Sequence, residues 1–221
     1  VTDINATLAS LTYTGNTDMV GTAADTLTVT THDGGNTGSG GAQQDVETVQ
    51  IDITPVNDTP VVNGPGSALS ATEQVGLAIQ GTGFTVTDVD AASGTMTATI
   101  NVGEGAITVA AGDSGVSISG GNGSGTVTIT GTLSQLDNLL TGTSTGTITY
   151  LNSSDTPSAA TTITVTVNDG GNTGADPGLT ANGSSEEDSA SQTINITGVN
   201  DDPTNPGGVP SDIAMTEDVG S

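Results

Sequence analysis

Two blocks of this sequence recur in the same order, and that repetition restricts the fold more than composition does. Thr26-Leu27-Thr28-Val29-Thr30-Thr31-His32-Asp33-Gly34-Gly35-Asn36-Thr37-Gly38 returns as Thr162-Ile163-Thr164-Val165-Thr166-Val167-Asn168-Asp169-Gly170-Gly171-Asn172-Thr173-Gly174, an offset of 136. Val56-Asn57-Asp58-Thr59-Pro60 returns as Val199-Asn200-Asp201-Asp202-Pro203, an offset of 143. The difference is a longer loop between Gly174 and Ile194, which carries Ser184-Ser185-Glu186-Glu187-Asp188. Tyr13 and Asp18 pair with Tyr150 and Asp155, and Thr72-Glu73 with Thr216-Glu217. A repeat of about 143 residues divides the chain into the back part of one unit (1–58), a whole unit (59–201) and the start of a third (202–221), as in a piece of a tandem array.

Within a unit, apolar residues alternate with Thr and Ser and are bounded by Gly, Asn and Asp clusters, the pattern of short half-buried strands. The whole unit is expected to hold strands near 67–75, 82–88, 95–102, 105–110, 115–119, 125–130, 146–151, 161–168 and 191–199. Ile163, Val165 and Val167 should face the core. The single helical signal is Thr132-Leu133-Ser134-Gln135-Leu136-Asp137-Asn138-Leu139-Leu140, where Thr132 and Gln135 have capping-box spacing and Leu133, Leu136 and Leu140 share a face. Short strands with Gly-rich turns and no alternating helices predict an all-β fold: tandem Greek-key β-sandwich domains joined head to tail, with one short helix per repeat.

Charge narrows the function. The chain has no Lys or Arg against 25 Asp and Glu, a formal net charge of −25, so no carboxylate has a cationic side-chain partner of those types. Clustered carboxylates repel unless protonated, solvated or bridged by metal, and divalent cations are the natural bridge. Scattered acids read instead as a solvated, solubilising surface. Nucleic acids and anionic membranes are bound mainly through Lys and Arg, so neither is expected as a partner. With no Cys, neither disulfides nor thiolate metal sites contribute. No apolar run approaches the roughly 20 residues of a membrane span, and VTDINATL lacks the basic and apolar regions of a signal peptide. Trp is absent and Phe84 is the one Phe, so the core must come from Val, Ile, Leu, Ala and Thr methyls.

Strand order locates the acids. In a seven-strand sandwich, the loop with Asp88-Val89-Asp90 and the loop with Asn168 and Asp169 lie at the top. Glu73 and Asp155 lie at the bottom, beside the outgoing Asn200 and Asp201. Stacking units head to tail then gathers oxygens at each joint. The first should collect Asp18, Asn57, Asp58, Asp88 and Asp90, with Asp169 as a further candidate; the second, Glu73, Asp155, Asn200 and Asp201. Hard oxygens without His or Cys select calcium (Ca2+) over zinc or copper, and magnesium demands a tighter octahedron.

The motif set is Thr72-Glu73-Gln74, Phe84-Thr85-Val86-Thr87-Asp88-Val89-Asp90, Tyr150-Leu151-Asn152-Ser153-Ser154-Asp155, Asn168-Asp169-Gly170-Gly171 and Val-Asn-Asp-x-Pro. It resembles the cadherin-like, bacterial immunoglobulin-like repeats of giant type I-secreted RTX adhesins. In cadherins, an acid near the domain start, an acidic loop before strand F, an Asn-Asp linker and an Asp-x-Asp of the next domain bind interdomain calcium. Glu73, Asp155, Asn200-Asp201 and Asp88-x-Asp90 match those positions. The unit start reads Glu73-Gln74 in one copy and Glu217-Asp218 in the next, and the Gly-Gly-x-Gly-x-Asp nonapeptide of RTX β-rolls is missing. The resemblance implies an extender segment of an extracellular adhesin at a bacterial cell surface.

Each signal has a plainer reading. Asn and Asp favour turns without any metal, and Asp33 and Asp169, each followed by Gly-Gly, suit turns as well as ligation. Glu186-Glu187-Asp188 reads as a solvated loop. His32 beside Asp33 invites a catalytic reading, but its counterpart is Asn168, and no Cys, Lys or Arg is available to attack or to hold an oxyanion. No enzyme and no small-molecule substrate are expected. The expected partners are neighbouring repeats of the same chain. The alternatives are a glycan- or protein-binding module using the Gly-rich loops 103–105 and 120–125, and a self-associating subunit of a surface filament or layer.

Overall fold

The computed structural model describes residues 2–36, 38–91, 93–174 and 186–202. The start of a third unit, with Thr216-Glu217 and Glu217-Asp218, lies outside the described residues beyond Asp202, as do Ser184 and Ser185. Among the described residues the regular structure is mostly β-strand, with two short helices.

Thr-apolar alternation does what period two requires. In β12 (Ala160–Asn168), Thr161, Ile163, Val165 and Val167 point inward and are buried, while the residues between them face outward. β7 (Met96–Val102) likewise buries Met96, Ala98, Ile100 and Val102. These belong to a six-stranded sheet in the order β4-β13-β12-β7-β10-β9, with β4 Leu69–Thr72, β9 Ser117–Gly120, β10 Thr126–Gly131 and β13 Glu187–Thr197. A three-stranded sheet, β5-β11-β8 (Leu77–Ala78, Thr147–Leu151, Ala106–Ala110), and the pair β3-β6 (Val61–Asn63, Thr85–Thr87) complete this body. Its core is one cluster that includes Phe84, Ile100, Ile129, Ile148, Tyr150 and Ile163. Every buried residue among those described lies between Asn57 and Ile196.

Helix α2 (Leu133–Thr141) starts where the capping box places it. Gln135 N donates to the Thr132 hydroxyl at 3.4 Å, and Gln135 Oε1 accepts from Thr132 N at 2.9 Å. Gly142, at φ +72, ends the helix in the left-handed conformation that glycine adopts without a Cβ clash. Leu136, Leu139 and Leu140 are buried, so the apolar face is fixed by both ends of the element. Thr132→Ala should cost about 1 kcal/mol of stability, read as a lower urea midpoint at unchanged slope.

The first hairpin repeats part of this design, with no cover among the described residues. β1 (Gly21–His32) and β2 (Gln44–Ile53) form a hairpin whose pairs His32↔Gln44 and Thr26↔Gln50 correspond to Asn168↔Glu187 and Thr162↔Thr193. The offsets of 136 and 143 thus carry one ladder onto the other, pair by pair. β12 is flanked by β7, and β13 by β4, the one parallel pairing among the described residues, where β1 and β2 have no such neighbours. Leu27 and Val29 are accordingly only half-buried where Ile163 and Val165 are buried. Helix α1 (Thr2–Leu8), the second helix, buries nothing.

Three differences from the expected elements have local causes. β3 and β5 are three and two residues long, too short for alternation to register. Glu187 and Asp188 begin β13 rather than lying in a solvated loop, because the Asp188 carboxylate accepts from Val62 N at 2.8 Å and draws the strand onto β3. The strands form several sheets whose connections were not legible from the pattern.

Candidate metal centre

The segment between hairpin and body is held by two loops of the body. Asn57 is fully buried: its Nδ2 donates to Asp169 Oδ2 at 3.0 Å and to its neighbour's carbonyl, Asp58 O, at 3.2 Å. Asp169, also fully buried, is oriented by its own loop. Its backbone N donates to Glu186 O at 3.0 Å, and its Oδ1 accepts from Gly171 N at 2.9 Å. Gly170 and Gly171, at φ +70 and +75, let the loop curl back over the carboxylate. A Cβ on Gly174 would sit 2.7 Å from Asn57 N, so only glycine lets that loop lie flat on the joint.

The second loop follows β6. Asp88 Oδ1 accepts from Asp90 N and Ala91 N, each at 3.1 Å, a turn closed by its own carboxylate. Asp90 Oδ2 reaches across to accept from Asp58 N at 3.2 Å, and Asp90 O accepts from the Thr173 hydroxyl at 2.7 Å. Asp18, at φ +60, comes from the turn before β1. With Val56, Asp58, Val89, Asp90 and Thr173 it lines a cleft of about 230 Å³.

Each of Asp88 and Asp90 therefore commits one oxygen to backbone N–H groups and leaves the other. Asp88 Oδ2, Asp90 Oδ1 and Asn57 Oδ1 are buried without a hydrogen-bond partner among the described residues. Buried polar atoms are nearly always paired, so unpartnered ones on the linker and on the loop that it touches, with Thr59 Oγ1 a further one, call for an explanation. The electrostatics point the same way. Burial raises the Asp58 carboxyl above the usual range, and the charges of Asp18 and Asp90 add to it. Burial pushes Asp88 up to about 6; the Asp90 and Ala91 amides oppose this, and the Asp90 carboxyl reinforces it. These acids crowd one another with no Lys or Arg to relieve them.

A raised carboxyl binds its proton more tightly folded than unfolded. Stability from Asp88 is therefore full below about pH 4 and is lost as pH rises to about 6. Fully desolvated, the shift would be worth about 3 kcal/mol; for a side chain this open to solvent we expect about 1 kcal/mol. In chelator, the stability difference between the wild type and Asp88→Asn should move by that amount between pH 4 and pH 7, in favour of the variant at the higher pH. Parallel urea curves across the window would remove Asp88 as the source.

At the opposite end, Glu73 is 1 % exposed; its Oε1 accepts from Val199 N at 2.7 Å and its Oε2 is buried without a partner among the described residues. Gln74, at φ +62, donates from Nε2 to Asp155 Oδ1 at 3.1 Å and to Asp201 Oδ1 at 3.3 Å. Glu73, Asp155 and Asp201 are thus brought to one end. Asn200 is exposed and, among the described residues, makes no hydrogen bond to the group. Gln74 occupies the position of Asp218, and an amide there bridges two carboxylates that an acid would repel.

Among the described residues, no three or more Asp, Glu, His or Cys side chains form a ready-made ion cage. Six or more oxygens closing around each joint were expected; the loops meet, but their carboxylates are turned partly onto backbone amides. What converges at the first joint is a mixed set of Asp and Asn oxygens. Calcium accepts such a mixture, since its six to eight oxygens are drawn from carboxylates, amides, carbonyls and water. Thr173 and Gly174 escaped sequence reasoning as joint residues, although Gly-Gly-Asn-Thr-Gly recurs in both copies. Comparison with known proteins gives no matching family and no matching curated protein.

Proposed function

We propose that this chain is a structural extender: tandem cadherin-like, Greek-key β-sandwich units, divided at 1–58, 59–201 and 202–221, with joints stiffened by calcium. The observation that carries the proposal is the trio of buried, unpartnered oxygens at the first joint, Asn57 Oδ1, Asp88 Oδ2 and Asp90 Oδ1, in a chain without Lys or Arg. Water could satisfy their hydrogen bonding, but it could not neutralise the neighbouring acids, and a divalent cation does both. Asn57, Asp58, Asp88 and Asp90 would hold the ion, with Asp18 joining from the hairpin side. Asp169 would act chiefly by positioning Asn57. Glu73, Asp155 and Asp201 would supply part of a second site.

Mechanism here is mechanics. Without the ion, carboxylates from two units repel across a short link; with it, the same oxygens share one ligand role and the link straightens. Such a segment suits the extracellular face of a bacterial cell, where it would hold a distant binding domain away from the surface, and it is not an enzyme. This placement rests on the motif resemblance and on the acidic, cysteine-free composition.

Small-angle scattering of the full chain, in calcium and in chelator at matched ionic strength, tests the idea. We expect a longer maximum dimension and a narrower distance distribution with calcium. An unchanged profile would sink the stiffening claim.

A further inference from the structure

The two ends of the unit treat their acids differently. At the first joint, Asp88 Oδ2, Asp90 Oδ1 and Asn57 Oδ1 are buried and accept no hydrogen bond among the described residues. At the other end, Asp155 and Asp201 are exposed, and both have a donor. Gln74 Nε2 donates to Asp155 Oδ1 at 3.1 Å and to Asp201 Oδ1 at 3.3 Å. A primary amide carries two hydrogens, one for each of these carboxylates.

All three residues are brought together by contacts within the protein. Gln74 sits at φ +62, a conformation that favours glycine, and its N donates to Asn152 O at 2.7 Å. The loop with Asp155 is pinned on both sides of that residue by Glu104, whose Oε1 accepts from Asn152 Nδ2 at 2.7 Å and from Ser158 N at 3.2 Å. The outgoing segment is held to the end of β4: Glu73 N donates to Thr197 O at 3.0 Å, and Val199 N donates to Glu73 Oε1 at 2.7 Å. Asp201 follows on the same segment. The motif Thr72-Glu73-Gln74 returns as Thr216-Glu217-Asp218, so the amide belongs to this copy and is not fixed by the repeat.

We propose that Gln74 is a substitute for a cation at this end of the unit: its amide bridges Asp155 and Asp201 and keeps the outgoing segment docked without calcium. The contrast with the first joint rests on the calcium reading of that joint; the amide bridge does not. A cation enters this end only by displacing the amide, which makes it the weaker of the two sites. The residue after Glu73 therefore decides how the exit is controlled. Gln fixes it, whereas an acid leaves the carboxylates without a donor and hands the exit to the ion.

The test is amide hydrogen exchange read by NMR on the full chain, for the wild type, Gln74→Glu and Gln74→Lys, in chelator and across a calcium titration at matched ionic strength. The Val199 amide reports docking of the outgoing segment, and the amides of β7 and β12 report that each variant is folded. In the wild type we expect Val199 to be protected in chelator and unchanged by calcium. Gln74→Glu should lower that protection roughly tenfold in chelator, the worth of one hydrogen bond to a charged group, and calcium should restore it. Gln74→Lys puts an ammonium among the same carboxylates; it should keep Val199 protected in chelator and lose protection as salt screens the charges. Wild-type Val199 protected only in calcium would overturn the proposal, as would Gln74→Glu as protected in chelator as the wild type. A loss in Gln74→Glu that calcium does not restore, or a loss in Gln74→Lys at low salt, would overturn it too. The Asp58 and Ala91 amides read the first joint in the same spectra: if they ignore calcium, the calcium reading fails there, while the bridge stands or falls on Val199.

Discussion

At a hundredfold excess over its dissociation constant, calcium should raise the unfolding midpoint of the wild-type chain by about 5–10 °C, and Asp90→Asn should remove most of that rise. The size follows from linkage: a ligand at that excess adds about 2.7 kcal/mol, and each kcal/mol moves the midpoint of a chain this long by about 2–4 °C. Asp90 is the sharpest choice because it serves both sides of the joint. Its Oδ2 holds Asp58 N, its carbonyl holds Thr173, and its Oδ1 is one of the buried unpartnered oxygens. The amide preserves shape and one acceptor but removes the charge and aims a donor at the cluster. Sodium chloride at matched ionic strength must give a smaller rise, since screening of −25 charges stabilises without any specific site. Equal rises with sodium and calcium would reduce the joint to a solvated acidic surface. A calcium rise unchanged in Asp90→Asn would place the ion elsewhere.

The second large effect is a contrast between equivalent positions. Ile163→Ala should cost about 2–5 kcal/mol, whereas Leu27→Ala should cost well under about 1 kcal/mol. Both residues occupy the same site in their hairpins. Ile163 lies in the core cluster on a strand between β7 and β13, while Leu27 faces no second layer among the described residues and is only half-buried. A two-stranded hairpin alone is marginal in water, so the cooperative transition should belong to the body that holds β3 to β13. Urea unfolding of the two variants reads the difference directly. Comparable losses would mean that the first hairpin is covered in solution, and their dependence on protein concentration would say whether a second molecule covers it.

What was legible in the sequence is what period and chemistry both dictate. β12 was readable because Ile163, Val165 and Val167 alternate with Thr, and α2 because Thr132 and Gln135 form a cap that needs no tertiary contact. The equivalence of the hairpins was readable from the two offsets alone. The joint was readable in part: Asn57 with Asp169, and Asp58 with Asp90, do meet, as do Asp155 and Asp201 through Gln74. What stayed hidden depends on which oxygen of a carboxylate faces the backbone. Asp88 and Asp90 satisfy nearby amides first, a local choice that spacing does not encode. Glu73 likewise turns one oxygen onto Val199 N, and Asn200 stays outside the group. β3 and α1 were missed because three residues carry no period, and because α1 has no buried face to leave one.

The parallel pairing of β4 with β13 has a consequence for load. These strands stand near the two ends of the unit, run the same way, and share the register Leu69↔Ile194 to Thr72↔Thr197. Tension that pulls the incoming chain one way and the outgoing chain the other slides β4 along β13 instead of peeling it away. Their hydrogen bonds are then strained together in shear and must fail together, not one after another as in an unzipping hairpin. Forced unfolding is governed by the barrier to rupture rather than by equilibrium stability. A unit of modest thermal stability can therefore be hard to pull apart along its length while remaining easy to open from the side.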